Sequence, residues 1–376
     1  MEEKGRIGIP KALMFYRYFP LWKVFFEELG WRVIVSDGLG KRGKIIYFED
    51  SCLPMKLLVT HSIDLKDKVD HLFVPRLVSL HRDYIMCPKF RGAPDIVRLA
   101  TEGTVSILDE TIDLRMREHS MLRSFLKTGK RLGADEKEGK RAFQKAERFF
   151  LNFQKGWEDR INGLSTSQLF EIDIPTPQIK NFTQKVSPPL APARRTGSLA
   201  GGGGEKGEGG YGRLFSPPPP PSPSPVKGGG KDIWKTSMRV AFIGHPYNLL
   251  DTDVNKDILS FARSLGMRII TPDALSEKEI GAQVSDLSKE IYWSSGREIV
   301  GSLFHFLSGG VDGVVFLTSF KCGIDALLQE FVRRRLKLKG GTSIPFLVLS
   351  LDEHSGREGL TTRLEAFRDV MEERTH

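Results

Sequence analysis

The chain has 376 residues, of which 40% are hydrophobic and 27% are charged, with a formal net charge of +9. This balance is typical of globular proteins and argues against a disordered chain. The length exceeds the roughly 250–300 residues at which one core stops growing, so we expect two domains. No apolar run reaches the ~18 residues of a membrane helix, and the first residues lack the layout of a signal peptide. The sequence therefore predicts a cytoplasmic protein with no membrane segment.

Strand and helix signals alternate along the first half of the chain. Short apolar runs predict strands at 6–9, 31–35 and 69–75. Apolar residues at helical spacing predict helices over 20–29, from Pro54 onward, and over 142–157.

A stretch of low complexity follows the first half. Residues 187–230 contain 10 Pro and 12 Gly among 44 residues. This composition buries too little apolar surface to offset the entropy of ordering, so we expect a disordered linker or insertion. The predicted domains are an N-terminal α/β domain with a helical extension at 1–186 and a C-terminal α/β domain at 231–376.

The second half repeats the alternation. Apolar runs predict strands at 238–243, 267–270, 313–317 and 346–351, and periodicity predicts helices at 258–265, 299–307, 324–336 and 364–371. Such alternation is typical of parallel sheets with right-handed crossovers. The predicted fold class is α/β, with two doubly wound parallel-sheet domains of the Rossmann or flavodoxin type. Ligands of such sheets bind beyond the carboxyl ends of the strands.

The positive charge does not indicate nucleic-acid binding. Residues 187–230 hold five basic and two acidic residues, which leaves +6 spread over the rest of the chain. The densest run, Arg333 to Arg335, follows apolar residues at helical spacing and is predicted to lie at a helix end, where cations are favoured. We expect no nucleic-acid partner and no membrane partner.

The three cysteines occupy similar places in the predicted topology. Cys52 follows the apolar KIIYFED stretch (44–50), a further predicted strand, and precedes the helix predicted from Pro54. Cys322 stands between the 313–317 strand and the 324–336 helix, and Cys87 lies in a proline-bounded loop after the third strand. All three are therefore predicted at ligand-binding edges of their sheets. Helix N-termini are expected to lower the thiol pKa at Cys52 and Cys322.

Spacing leaves the role of these cysteines open. Buried free cysteines are common as small hydrophobic residues. The odd count argues against a disulfide framework, and the absence of a Cys-x-x-Cys pair excludes a zinc ribbon or finger. Three thiolates suit an iron–sulfur cube with one open iron, or a zinc ion with an added His or water.

An ordered set of short motifs accompanies the cysteines. They are IGIPKAL (7–13), YFPLW (18–22), FFEELG (25–30), SCLPMK (51–56), FVPRL (73–77), CPKF (87–90), GHPYN (244–248), SFKCGID (319–325), DEH (352–354) and TRLEAF (362–367). This set resembles the 2-hydroxyacyl-CoA dehydratase-related family, in its acyl-CoA dehydratase activase-related (CoA enzyme activase, DUF2229-type) branch. The resemblance covers nearly all of the chain outside residues 187–230, which are not part of the family pattern.

The resemblance implies a cofactor, a partner and two kinds of function. Cys52, Cys87 and Cys322 would hold an iron–sulfur cluster, [4Fe-4S] or a larger fused one, between the two domains. A separate ATP-hydrolysing activator with its own cluster would supply the electron, and the chain would form a homo- or hetero-oligomer. The protein would then be a dehydratase-like lyase or a reductase acting on an acyl-CoA or another small compound, or else a non-catalytic electron-transfer partner. Gly201 to Gly204 lack the flanking strand and helix of a phosphate loop, so we expect no ATP use by this chain alone.

Polar residues at two further strand ends are candidates for substrate chemistry. Glu353 and His354 follow the 346–351 strand and could transfer protons as catalytic residues, although Asp352 and Glu353 could instead cap a turn or pair with arginines. His245 and Asn248 follow the first strand of the second half and could bind substrate.

Lysines near the cysteines have two possible roles. Lys56, Lys89 and Lys321 could offset the negative charge of a cluster, or could be ordinary surface lysines.

Overall fold

Two parallel four-stranded sheets organise the protein. The computed structural model describes residues 3–36, 45, 51–161, 238–285, 287, 289–338 and 344–375. The described parts of both halves belong to one compact unit. The predicted linker at 187–230, the predicted domain boundaries beside it and most of the predicted strand at 44–50 lie outside the described residues.

The first sheet is built from the N-terminal half and has the strand order β2-β1-β3-β5. Its strands and those of a separate parallel pair are β1 (Arg6–Ile9), β2 (Arg32–Val35), β3 (His71–Phe73), β4 (Arg76–Ser79), β5 (Ser106–Leu108) and β6 (Thr111–Asp113). β4 and β6 form the separate two-stranded sheet. The helices of this half are α1 (Phe15–Glu28), α2 (Leu53–Leu65), α3 (Pro88–Ala100), α4 (Met121–Arg131) and α5 (Glu136–Ile161).

The second sheet has the strand order β10-β9-β7-β8. Its strands are β7 (Arg239–Gly244), β8 (Arg268–Ile270), β9 (Gly313–Ser319) and β10 (Phe346–Leu351). Its helices are α6 (Pro246–Leu250), α7 (Thr252–Asn255), α8 (Ile258–Ser264), α9 (Glu277–Val284), α10 (Ser294–Ser308), α11 (Gly323–Leu338) and α12 (Arg357–Thr375). The predicted α/β class with parallel sheets is therefore confirmed.

Buried apolar strands explain why the sheets form. All seven residues of β9 are buried, as expected for a strand covered on both faces. Ile299, Leu303 and Phe306 of α10, each 0% exposed, belong to the same hydrophobic core as the β9 residues Val314 and Phe316. Burying each of these side chains contributes roughly 2 kcal/mol, which makes this layer a main source of stability.

The strand order places one crevice in each sheet. In the first sheet, β2 lies on one side of β1, and β3 and β5 lie on the other side. In the second sheet, β8 lies on one side of β7, and β9 and β10 lie on the other side. The direction of strand addition therefore reverses between β1 and β3 and between β7 and β9. The loops that follow such strands diverge and leave space for a ligand. The relevant loops here begin at Pro10 after β1 and at Val74 after β3 in the first sheet, and at His245 after β7 and at Phe320 after β9 in the second.

The structure differs from the sequence-based prediction at α1. The helix begins at Phe15 rather than at Pro20, and Pro20 lies inside it. An internal proline costs about 3 kcal/mol. Burial of Phe15, Tyr16 and Phe19 in the first turns of the helix offsets this cost. Within the described residues, none of the helices is long and apolar enough to cross a membrane.

Candidate functional site

All three cysteines stand directly before helices. Cys52 precedes α2 and Cys322 precedes α11, as the sequence predicted, and Cys87 precedes α3, a helix that the sequence analysis did not predict. All three line one small cavity of about 20 Å³, enough for one water. The other lining residues are Leu13, Met55, Lys89, Phe90, His245, Tyr247, Gly323 and Ile324. Residues from both halves of the chain therefore line this cavity.

The loops around this cavity hold unusual backbone conformations. Leu13, in the loop after β1, has φ 55°, and Lys321, in the loop after β9, has φ 63°. The left-handed conformation costs a residue with a Cβ about 1–2 kcal/mol. Strained backbone conformations are often found at functional sites. Here the two strained residues, Leu13 and Lys321, belong to one loop from each four-stranded sheet.

Among the described residues, the three potential metal ligands His245, Cys322 and Asp325 form a close group. Their ligand atoms all lie within 4.8 Å of one another. His245 Nε2 lies 2.8 Å from Asp325 Oδ1 and 3.7 Å from Cys322 Sγ. This group is His/Cys/Asp and not three cysteines, because Cys52 and Cys87 line the same cavity outside it.

The geometry of this group is not that of a Cys-His-Asp catalytic triad. In a triad, the base faces the nucleophile with one ring nitrogen and its carboxylate with the other. Here the thiol and the carboxylate both lie beside Nε2 of His245. The arrangement instead resembles a ligand set in which several donor atoms converge on one point.

His245 and Asp325 form a buried ion pair. Their side chains are each 2% exposed. Burial acts to lower the pKa of His245, but the Asp325 carboxylate outweighs it and raises the pKa to about 10. His245 is therefore an imidazolium at neutral pH when no metal is bound, and a metal ion that used its Nε2 would have to displace that proton.

The thiols of Cys52 and Cys87 are protonated at neutral pH. Burial raises the pKa of Cys52 to about 11, although Lys89 acts to lower it. Burial also raises the pKa of Cys87. The expectation of a lowered thiol pKa at Cys52 is therefore wrong, because desolvation outweighs the effect of the helix N-terminus. Metal binding at these thiols would release protons.

The structure adds two residues to the candidate site that the sequence reasoning did not single out. Asp325 and Tyr247 lie within the SFKCGID and GHPYN motifs, so the motifs themselves carried the signal. The Tyr247 ring stacks on the His245 ring with centroids 4.8 Å apart. Burial, with Cys322 and Asp325 nearby, raises the pKa of Tyr247 well above 10.0, so the phenol keeps its proton.

Asn248 lies behind the site. It is 0% exposed, its Nδ2 donates to Leu317 O at 3.2 Å, and its Oδ1 accepts from Ser319 Oγ at 2.7 Å. These bonds tie the start of α6 to the end of β9 and so position His245. A role in substrate binding stays a prediction.

Glu353 and His354 lie apart from the residues that line the cysteine cavity. Glu353 Oε1 accepts from Lys56 Nζ at 2.5 Å, and this pairing replaces the predicted pairing with arginines. Burial acts to raise the pKa of Glu353, but the hydrogen bond from Lys56 outweighs it and the pKa is lowered. The His354 side chain is 84% exposed. Asp352 caps the turn as expected, because its Oδ1 accepts from the His354 N–H at 2.8 Å.

The three lysines near the cysteines have different surroundings. Lys56 is 2% exposed and so is not a surface lysine. Lys89 lines the cysteine cavity and acts to lower the pKa of Cys52. Lys321 is exposed.

Together, the fold and site define an α/β protein with two four-stranded parallel sheets and a buried His/Cys/Asp group at the crevice of the second. Residues 6–275 match the family described as CoA enzyme activase uncharacterised domain (DUF2229), and the chain belongs to this family. The match includes Cys52, Cys87 and His245 and ends before Cys322. Among curated proteins, none matches the sequence.

Proposed function

We propose that this chain is an iron–sulfur protein in which Cys52, Cys87 and Cys322 hold a [4Fe-4S] or larger cluster. The observation that carries the proposal is that every cysteine of the chain lines the same cavity. Three thiolates can hold a cube and leave one iron for another ligand. When bound, such a cluster would supply low-potential electrons for reduction or dehydration of a small substrate.

The surrounding residues suit a buried anionic group. The N-termini of α2, α3 and α11 carry partial positive charge beside the cysteines, which favours a bound anionic cluster even though burial keeps the metal-free thiols of Cys52 and Cys87 protonated. Lys89 adds a full positive charge at the cavity wall, while Leu13, Met55 and Phe90 exclude water. The cavity of the metal-free protein has room for about one water, so cluster uptake would require the cysteine loops to move apart.

Two biochemical roles fit such a site. The protein would be a lyase or reductase acting on an acyl-CoA or another small compound, or a non-catalytic electron-transfer partner of a CoA-dependent dehydratase. The family resemblance supports electron supply by a separate ATP-hydrolysing activator with its own cluster. Turnover of an acyl-CoA by the purified chain with such an activator would separate the first role from the second.

A single metal ion is the second candidate. The His245, Cys322 and Asp325 ligand atoms already lie within 4.8 Å of one another, so a zinc ion would fit without movement of the cysteine loops. Zinc accepts nitrogen, sulfur and carboxylate oxygen, and three protein ligands leave one position for water or substrate.

Metal analysis of anaerobically purified variants separates these candidates. A cluster predicts about four irons per chain, lost in Cys52→Ser, Cys87→Ser and Cys322→Ser. A zinc site predicts one zinc per chain, lost in Cys322→Ser and Asp325→Asn but kept in Cys52→Ser and Cys87→Ser. Asp369→Asn, at an exposed aspartate of α12, is the matched control. Protein without iron, or full iron retention in any Cys→Ser variant, would contradict the three-cysteine cluster.

A further inference from the structure

A second cavity lies against the small β4–β6 sheet, apart from the cysteines. Its volume is about 270 Å³. β4 and β6 run parallel with Arg76 opposite Thr111, and both residues line the cavity. Because successive side chains of a strand alternate between faces, the neighbouring Leu77 and Ile112 point into the core, where they are 4% and 2% exposed. The small sheet thus presents one polar face to this space.

Arginines dominate the wall of this cavity. Its lining residues are Arg76, Val78, Arg91, Thr111, Asp113, Arg115, Met116 and His119. Three guanidinium groups face one carboxylate, that of Asp113. The lining side chains therefore carry a net positive charge. How much of this charge is available to a ligand depends on the carboxylates that pair with the arginines.

Two of the arginines are already paired with carboxylates. Arg76 donates to both carboxylate oxygens of Asp95, at 2.6 and 3.0 Å. Arg115 donates to both oxygens of Asp113, at 2.9 and 2.8 Å. A guanidinium has more N–H donors than these bonds use, so both side chains keep hydrogens for a further acceptor. The pairs hold the two arginines in place.

Arg91 is the unpaired cation of this group. It is exposed, and no carboxylate of the described residues lies within 4.0 Å of its guanidinium. Its backbone carbonyl accepts from Arg76 Nη1 at 2.5 Å, which ties α3 to β4. Nδ1 of His119 is also buried without a hydrogen-bond partner among the described residues. Within the described part of the chain, the cavity therefore combines one positive charge without a carboxylate partner and one buried polar atom, His119 Nδ1, without a hydrogen-bond partner.

We propose that this cavity binds the phosphate group of a small molecule, with Arg91 as the principal cation. Guanidinium groups bind phosphate through paired, charge-assisted hydrogen bonds, and held arginines lose little freedom on binding. The hydroxyl of Thr111 and the free N–H donors of Arg76 and Arg115 complete the donor set. The cavity volume of about 270 Å³ leaves room for more than a phosphate group, so we expect a phosphate ester to bind more tightly than the bare ion.

The first turn of α3 connects this cavity with the cysteines. Lys89 and Phe90 line the cysteine cavity, and Arg91, the next residue, lines the phosphate cavity. Phosphate binding does not depend on a metal or on any of the three cysteines, so it can be tested whether or not the proposed cluster forms.

Titration calorimetry at low salt tests the proposal, with inorganic phosphate, ADP and adenosine as probes and wild-type, Arg91→Gln and Arg148→Gln proteins. We expect saturable binding of ADP, weaker binding of inorganic phosphate, and no binding of adenosine. Arg91→Gln should weaken ADP binding by about tenfold or more, the loss expected for one charge-assisted bond pair. Arg148→Gln, at an exposed arginine of α5, should bind as the wild type does.

The outcomes distinguish the sources of the phosphate. Equal or tighter binding of inorganic phosphate would keep the phosphate site but overturn the preference for an ester. Binding of adenosine as tight as that of ADP would overturn phosphate recognition. The proposal also fails if folded wild-type protein binds neither ADP nor phosphate, or if Arg91→Gln binds both as tightly as the wild type.

Discussion

His245 keeps a positive charge where almost no solvent reaches it. Burial alone would neutralise the imidazole, and the Asp325 carboxylate at 2.8 Å prevents this. The charge then lies beside the Cys322 thiol, 3.7 Å away. A thiolate or a metal-bound sulfur at Cys322 would therefore interact with the imidazolium–carboxylate pair, whichever metal the site holds.

The His245–Asp325 pair makes stability depend on pH. The pKa of His245 is raised from 6.5 to about 10 in the folded protein. Its contribution to the free energy of unfolding is thus fully present below pH 6.5 and is lost as the pH rises through 10. Urea unfolding of metal-free protein between pH 6.5 and 10 should show a loss of a few kcal/mol.

Asp325→Asn should flatten this pH dependence, because it removes the cause of the raised pKa. Asp369→Asn, which leaves the pair intact, should keep the wild-type slope. An unchanged slope in Asp325→Asn would show that the pair does not control the titration.

At the scale of elements, the end of β7 leaves no room for a side chain between it and β9 at Gly244. Gly244 has φ 156°, and a Cβ at this position would lie 2.5 Å from Leu317 O of β9. Leu317 O also accepts from Asn248. The glycine therefore allows the close strand approach that brings the loop bearing His245 next to the loop bearing Cys322.

Gly244→Ala should lower the free energy of unfolding by about 1–3 kcal/mol, because the new Cβ clashes with a backbone atom that cannot move freely. Gly359→Ala is the control, since its Cβ would meet nothing within 4 Å in α12. It should leave stability unchanged or raise it by up to about 1 kcal/mol. Chemical unfolding measures both, and equal stabilities would contradict the close approach.

At the scale of the whole molecule, ion pairs connect the two halves of the chain. Arg17 of α1 donates to both carboxylate oxygens of Glu298 in α10 and lies 3.3 Å from Asp273. Lys56 and Glu353 form a second such pair. These contacts join residues more than 250 positions apart in the sequence. They therefore help to hold the N-terminal and C-terminal halves, which both line the cysteine cavity, in one relative position.

A double-mutant cycle with Arg17→Met and Glu298→Gln measures this connection. The Arg17 side chain is 31% exposed and that of Glu298 is 13% exposed. We expect a coupling free energy of about 1–2 kcal/mol, reduced from that of a fully buried pair by partial solvent screening. The same cycle on the exposed Lys68–Asp64 pair should give about 0–0.5 kcal/mol. Additive effects at Arg17 and Glu298 would contradict an energetic link.

Local signals predicted much of the fold. The strands at 313–317 and 346–351 were predicted because a run of apolar residues needs no distant partner to be recognised. Pro54 marked the start of α2 because proline is favoured in the first turn of a helix, which is also a local signal. The strands β4 and β6 were missed, since runs of three or four residues with polar side chains on one face carry little periodicity. The phosphate cavity that they form was missed with them.

The sequence by itself determined the α/β class and the position of Cys52 and Cys322 before a helix, because strand burial, helix starts and short motifs depend on neighbouring residues. Only the tertiary structure decided which side chains meet. Asp325 lies 80 positions after His245 in the chain, yet only the parallel pairing of β7 with β9 places the two 2.8 Å apart. The pKa of Cys52, about 11, likewise follows from burial, which is set by the packing of both halves around one cavity. Charge and proton affinity depend on what surrounds a group in space, and the linear order of residues does not specify those surroundings.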